Sequence, residues 1–251
     1  MKEEYYTAKE AMRILGKPST SFYREAREGR IPHKGKRPNM RFPKEAIDAL
    51  AEVGTSEEKD ENLTFTISTI ADAWTKQEIT RQPYDDEDVV PFKTLLEWRK
   101  RNDEISMNVK LRNNILGWTT FLPLDETIII DLINNRIREK DIPPQAIKKW
   151  TDKRLSVYIP IIEVISSHNA ERDKEVGAFL LRKTIKWAIT LMIQHDIKNW
   201  YGIGTTPEGQ TILDRLGFKL LTDLEEGKRK GYVLESKAEP VRLVSKFLQS
   251  V

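Results

Sequence analysis

The chain has 251 residues, 39% of them apolar and 32% charged, with a net charge of +3 and no cysteine. That length allows one large or two modest domains with enough apolar material for a core, and the missing cysteine excludes disulfides, thiolate nucleophiles and Cys-based zinc sites. No apolar run approaches the roughly 18 residues of a membrane span, no metal is expected because His33, His168 and His195 lack ligand spacing, and Met1-Lys2-Glu3-Glu4 has no apolar signal segment, so a cytoplasmic protein is expected.

The charge is uneven. Residues 1–50 hold 12 Lys/Arg against 7 Asp/Glu, and the remainder holds 30 against 32. A basic front on a near-neutral body is the footprint of nucleic-acid contact by one part only. Thr7-Ala8-Lys9-Glu10 is a capping box that starts a first helix, with Ala11, Ile14 and Leu15 on one face and Gly16 at its end. A second helix begins near Pro18–Thr20 and stops at Gly29, with Phe22 and Ala26 facing inward. His33–Met40 forms a basic hairpin tip, Arg41-Phe42 returns from it, and Pro43–Leu50 is a third helix.

Two short helices across a tight glycine turn, followed by a basic wing, make a winged helix-turn-helix. The run Tyr6–Ala11, Ile14-Leu15-Gly16, Phe22-Tyr23-Arg24, Gly29–Pro32 and Arg41-Phe42-Pro43 resembles the excisionase and MerR-like DNA-binding families. In that geometry the second helix enters the major groove of double-stranded DNA through Ser19, Thr20, Tyr23, Arg24 and Arg27, with Arg24 the candidate for a bidentate contact. Lys34, Lys36, Arg37 and Arg41 on the wing would meet phosphate or the minor groove. So small a module neutralises few phosphates, so a homodimer on repeated half-sites is expected.

Residues 53–62 are polar, acidic and aperiodic, and read as a linker. The domains expected are therefore 1–52, a DNA-binding unit, and 63–251, the body. Leu63–Ser68 alternates like a strand, and a helical region follows, clearest at Asp86–Arg101. Ile105–Lys110 and Ile115–Leu122 form an antiparallel pair turned at Arg112-Asn113-Asn114, and Asp125–Arg138 is helical. Leu155–Ser166 is an apolar strand, Ser167–Val176 a polar loop, and Gly177–Gln194 a helix. Lys198–Gly204 is a second strand, followed by a short helix ending at Leu216-Gly217-Phe218. A hairpin turned at Glu225–Lys228 and a helix at Pro240–Val251 close the chain.

That order resembles the GNAT superfamily of N-acetyltransferases, so the fold class expected is α+β, a small winged helix-turn-helix followed by a mixed sheet flanked by helices. The family's pyrophosphate loop, (Gln/Arg)-x-x-Gly-x-(Gly/Ala), aligns with Arg172–Ala178, and its closing Tyr-x-x-Leu-Gly-Phe with Leu213–Phe218. The resemblance implies acetyl-CoA or CoA as cofactor. Its pantetheine arm would lie along Val164 and Ser166, and its pyrophosphate would sit against Arg172, Lys174, Val176, Gly177 and Ala178. Two positions depart from the family. Glu175 replaces the loop's first glycine and sets a carboxylate beside the pyrophosphate, which at about 4 Å costs on the order of 1–4 kcal/mol. Leu213 replaces the tyrosine that protonates the departing thiolate, and leucine has no proton to give.

No catalytic residue is assigned; Glu163 as general base and Tyr201 as acid are the candidates, each weighed against a strand-face or packing role. The function expected is a sequence-specific transcriptional regulator whose GNAT-like body serves ligand sensing, dimerisation or partner binding. The alternative is an active acyl-CoA-dependent N-acetyltransferase tethered to DNA.

Overall fold

The computed structural model describes residues 4–27, 31–35, 39–54, 63–80 and 89–236. The N-terminal module follows from its caps. Glu10 N–H donates to Thr7 Oγ1 at 3.3 Å and Thr7 N–H donates to Glu10 Oε2 at 2.8 Å, which closes the capping box at the start of α1 (Ala8–Ile14). Gly16, at φ +62°, turns the chain in a left-handed conformation that a side chain disfavours. Helix α2 (Ser19–Arg27) buries Phe22 and Ala26. A short ladder joins β1 (Tyr5–Tyr6) to β2 (Phe42–Pro43), and α3 (Lys44–Gly54) follows. Ala11, Phe22, Ala26, Ile31, Phe42 and Ile47 meet in one core, with the Phe22 and Phe42 rings 4.9 Å apart. Helix α3 runs four residues beyond Leu50, into the start of the expected linker, and residues 55–62 lie outside the described set.

The body is a seven-stranded mixed sheet carrying helices on both faces. In chain order it comprises β3 (Leu63–Ile67), α4 (Ile70–Thr80), α5 (Phe92–Arg101), β4 (Ser106–Leu111), β5 (Asn114–Leu124), α6 (Glu126–Ile133), β6 (Leu155–Val164), α7 (Ala170–Gln194), β7 (Ile197–Gly204), α8 (Pro207–Arg215), β8 (Lys219–Leu224) and β9 (Arg229–Glu235). The strands lie in the order β3-β4-β5-β6-β7-β9-β8. Every neighbouring pair is antiparallel except β6–β7, whose parallel pairing requires the crossover that α7 supplies. Two cores result. Trp98, Leu122, Ile129, Leu132 and Tyr158 belong to one, and Phe121, Val157, Leu191, Trp200 and Phe218 to the other.

This α+β architecture, with its helix-turn-helix at the front, is the class the sequence implied. Three element limits differ. Helix α7 begins at Ala170, seven residues before the expected Gly177, because Asn169 caps it by accepting from Arg172 N–H at 3.2 Å. Helix α6 ends at Ile133, five residues before Arg138, where Asn135 takes φ +57°. The helix expected over Asp86–Arg101 begins at Phe92; residues 81–88 lie outside the described set, as does the terminal segment 237–251.

One irregularity positions the site. Between β5 and β6, Thr120 pairs with Ile161 and Leu122 with Tyr158, so Phe121 alone faces Ile159 and Pro160. That is a β-bulge on β6, and a strand proline, which lacks a ladder N–H, is tolerated at a bulge. On the other side, β6–β7 pairing stops at Ile159 opposite Gly202, although β6 continues to Val164 and β7 to Gly204. The two strands therefore part beyond Pro160.

Candidate functional site

The N-terminal module places its polar residues on one stripe. On α2, Thr20, Arg24 and Arg27 recur at intervals of four and three, opposite the buried Phe22 and Ala26. Ser19, Thr20, Arg24 and Arg27 are exposed, and Tyr23 is half-buried with its ring edge-on to Phe22 at 5.4 Å. Lys34 and Arg41 exchange backbone hydrogen bonds, Lys34 N to Arg41 O at 2.8 Å and Arg41 N to Lys34 O at 2.9 Å. The Lys34 ammonium donates to Tyr5 Oη at 2.8 Å. Lys36 and Arg37 lie outside the described residues.

In the body, the parting of β6 from β7 opens a cavity of about 670 Å³. Helices α4 and α5 wall one side with Ala73, Lys76, Gln77, Leu95 and Arg99, and α7 and α8 the other with Leu181, Thr184, Ile185 and Leu213. Its volume is that of a small-molecule site. Glu163 and Val164 lie on its wall. Burial pushes the Glu163 carboxyl above its ordinary range, and its Oε2 is buried without a hydrogen-bond partner. Leu213 is buried against the face of Gly202, where a Cβ on the glycine would stand 3.1 Å from Leu213 Cδ2. The position aligned with the family's acid is therefore wholly apolar.

The residues aligned with the pyrophosphate loop do not form a loop. Arg172, Lys174, Val176, Gly177 and Ala178 all sit inside α7, so the backbone N–H groups from Lys174 to Ala178 belong to the helix ladder. The Val176 side chain is buried against β4 and β6, while Arg172, Lys174 and Glu175 are exposed. A Cβ on Gly177 would meet Val164 Cγ2 at 3.7 Å, an ordinary contact. The turn before the helix is closed by a carboxylate of the chain itself. Asp173 accepts from Ser167 N at 2.9 Å, from Ser167 Oγ at 2.6 Å and from Ser166 Oγ at 3.2 Å. Those hydrogen bonds hold the Asp173 carboxyl below its usual range.

Tyr201 is occupied elsewhere. Its hydroxyl donates to Glu126 Oε1 at 2.5 Å, on the α6 side of the sheet. Burial, with Glu126 beside it, pushes Tyr201 up to about 12. The hydrogen bond from Tyr201, joined by those of Asn199 and Lys198, pulls Glu126 down to about 2 against its burial. Tyr158 is paired likewise, donating to Glu139 Oε1 at 2.8 Å, and burial raises both groups.

Sequence reasoning passed over Lys76. It sits on the inner face of α4 with Asp72, Ala73 and Gln77, all buried, while Ile70 and Trp74 of the same helix are 59% and 51% exposed. Its ammonium donates to Ser106 Oγ at 2.7 Å and lies 5.9 Å from the Trp118 ring centroid. Burial, then the nearby Arg99 guanidinium, lowers it to about 7. A buried polar face on a helix with exposed apolar residues is the signal that marks it. Among the described residues, no three His, Asp or Glu gather as a metal site and no helix is long and apolar enough to cross a membrane.

Residues 5–52 match the family model of a helix-turn-helix domain. Among curated proteins, none matches the chain in sequence. Of solved structures, Ard1 from Thermoplasma volcanium is similar at 10% identity and a TM-score of 0.45, over 69% of this chain and 97% of its own. An acetyltransferase from Thermus thermophilus is similar at 10% identity and 0.41, over 69% and 97%. A mutant AtaT toxin bound to the C-terminus of the antitoxin AtaR and acetyl-CoA is similar at 17% identity and 0.42, over 73% and 98%.

Proposed function

We propose that the chain is a sequence-specific DNA-binding regulator whose GNAT-like body senses a small ligand, and that two copies act together on repeated half-sites in the cytoplasm of a bacterial cell. The N-terminal unit would read DNA through the stripe of α2, with Arg24 making a base contact and Lys34, Lys36, Arg37 and Arg41 meeting phosphate as the wing. The observation that carries the reading of the body is the Asp173 carboxylate bound to Ser166 and Ser167. An anion-binding helix start needs free N–H groups. Here Asn169 takes the Arg172 N–H and Asp173 the Ser167 N–H, and Glu171 and Glu175 add exposed carboxylates. The residues present do not fit a pyrophosphate.

Two measurements test this. In electrophoretic shifts with a selected operator, Arg24→Ala is expected to weaken binding by roughly 1–3 kcal/mol and relax sequence preference, whereas Arg41→Ala weakens it evenly and lowers the salt slope by about 1. Unchanged DNA retention in both variants at low salt would overturn the groove assignment. In calorimetry, acetyl-CoA is expected to give no binding up to millimolar. Micromolar binding with CoA release on an amine would overturn the reading of the body.

A second reading has one observation in its favour. Glu163 is a buried carboxyl with raised proton affinity at the β6–β7 gap, the chemistry of a general base. On that reading the body is a DNA-tethered N-acetyltransferase, and Glu163→Gln abolishes turnover.

A further inference from the structure

We infer that two copies of the chain join along β3, antiparallel and about a twofold axis at Phe65, so that their two sheets become one. The inference rests on the reading that two copies act together on DNA, and it names the surface that joins them.

The first ground is the hydrogen-bond phase of the edge. Strand β3 closes one end of the sheet, with β4 on its inner side and no strand on its outer side among the described residues. Ser68, directly after β3, donates its N–H to Ser106 O at 2.9 Å across the same ladder. Antiparallel ladders alternate, so Thr66 and Thr64 turn their backbone groups to β4, while Leu63, Phe65 and Ile67 turn theirs outward. Setting β3 against a second β3, with Phe65 on the axis, faces Leu63 with Ile67 of the second copy and Phe65 with its own counterpart. The three outward residues then all form hydrogen-bonded pairs, and each of their N–H and C=O groups finds a partner. An isologous joint of this kind closes at two copies.

The second ground is what the strand carries. Exposed strand edges are ordinarily guarded by charge, proline or a bulge. The opposite edge of the sheet, β8, carries Lys219, Asp223 and a bulge between Leu220 and Thr222. Strand β3 reads Leu-Thr-Phe-Thr-Ile, with no charge, no proline and an unbroken register to β4. Neutrality is what a self-pairing strand needs, because like charges directly opposite one another repel. The pattern is also self-complementary. Leu63, Phe65 and Ile67 share one face and Thr64 and Thr66 the other, so the pairing sets apolar against apolar and threonine against threonine. Leu63 and Phe65 pack on Val109, Val176 and Phe179, whereas Ile67 is 46% exposed. In the pair, Ile67 lies beside Leu63 of the second copy. Strand β3 is the first strand after the DNA-binding unit, so each unit attaches next to the shared ladder.

The test uses the full-length chain, whose lack of cysteine makes engineered thiols specific probes. Thr64→Cys and Thr66→Cys are made separately. In the inferred register these positions face one another as a non-hydrogen-bonded pair, about 4.5 Å apart at Cα and within disulfide reach. Under mild oxidation the mixture of the two variants is expected to give at least about tenfold more covalent dimer on a non-reducing gel than either variant alone. A joint of one short strand lies at the small end of specific interfaces. Sedimentation of the unaltered chain is therefore expected to show the mass doubling between about 1 and 200 μM, and Ile67→Lys to raise the dissociation constant at least about tenfold. A monomer throughout, cross-linking as strong in either variant alone as in the mixture, or a dimer that Ile67→Lys leaves unchanged would each overturn the inference. Should Ile67→Lys fail to fold, the cross-linking decides alone. An electrophoretic shift on an operator with two half-sites, run in parallel, separates the two claims. A β3 dimer that binds no DNA defeats the regulator reading and leaves the pairing standing. Cooperative DNA binding by a chain that neither dimerises nor cross-links defeats the pairing alone.

Discussion

Asp173 returns to the turn that precedes its own helix and accepts from Ser167 twice, from Oγ at 2.6 Å and from N at 2.9 Å. A carboxylate inside the chain thereby occupies the donors that an external anion at the head of α7 would use. The arrangement is local in origin. Asn169 starts the helix at Ala170, and one turn later Asp173 faces back toward Ser166 and Ser167. The helix macrodipole favours a negative group in that turn whether it belongs to the chain or to a ligand.

Asp173→Ala therefore frees Ser166 and Ser167 without disturbing the core, since Asp173 lies at the surface of the turn. Acetyl-CoA binding is expected to strengthen by about tenfold, the 1.4 kcal/mol equivalent of one recovered charge-assisted contact set, read by calorimetry as binding to the variant at millimolar acetyl-CoA, where the unaltered chain gives none. No binding to the variant at that concentration would mean that the carboxylate does not compete for the turn.

The Glu126–Tyr201 pair sets a pH dependence. Glu126 is held at about 2, well below the ordinary 4.5. A carboxyl with a depressed folded pKa contributes stability that is present above 4.5 and is lost as pH falls from there toward 2. Tyr201→Phe removes the strongest donor, so melting between pH 5 and 2 is expected to become less steep. At pH 7 the variant is expected to lose roughly 1 kcal/mol, the net worth of one such hydrogen bond. Parallel melting curves for both proteins across that range would contradict the assignment.

What could be read from residues alone was whatever acts within a few positions. The Thr7–Glu10 box, the Gly16 stop and the Phe22/Ala26 face needed only local spacing, and all three stand as expected. The head of α7 is hidden in the sequence because its first turns carry Glu171, Arg172, Lys174 and Glu175, all of them exposed, and exposed helical residues leave no apolar period. The cap at Asn169 was the available sign. Lys76 was invisible for the converse reason: one lysine in a helix reads as solvated, and only the packing of α4 on β4 and β5 reveals that it is inside. Pro160 carried a signal that strand periodicity hides, since a proline in an apolar strand marks a bulge.

Gly231 on β9 tests the fit of α6 against the sheet. A Cβ there would stand 2.4 Å from Ile133 Cγ2, closer than any real contact. Gly231→Ala is expected to cost about 1–3 kcal/mol by overpacking. Ile133→Ala opens that space at its own cost of about 2–5 kcal/mol. The double variant should lose less than the two costs added, because the alanine methyl occupies part of the vacated volume. Urea unfolding of the four proteins gives the coupling, and simple additivity would show that the strand moves aside instead.

Glu163 separates a structural role from a chemical one. Burial raises its carboxyl, and among the described residues its Oε2 has no hydrogen-bond partner. An acid whose folded pKa lies above its unfolded value is tolerated while protonated and destabilises the fold as pH rises past 4.5 and through the folded value. Glu163→Gln keeps the size and a polar tip but cannot ionise. It is expected to match the parent in melting temperature near pH 4 and to exceed it at pH 8. That outcome marks a buried acid tolerated for what it faces in the cavity, since an ion-paired glutamate would give the opposite sign. A variant less stable than the parent at pH 8 would show that the ionised carboxylate has a partner after all.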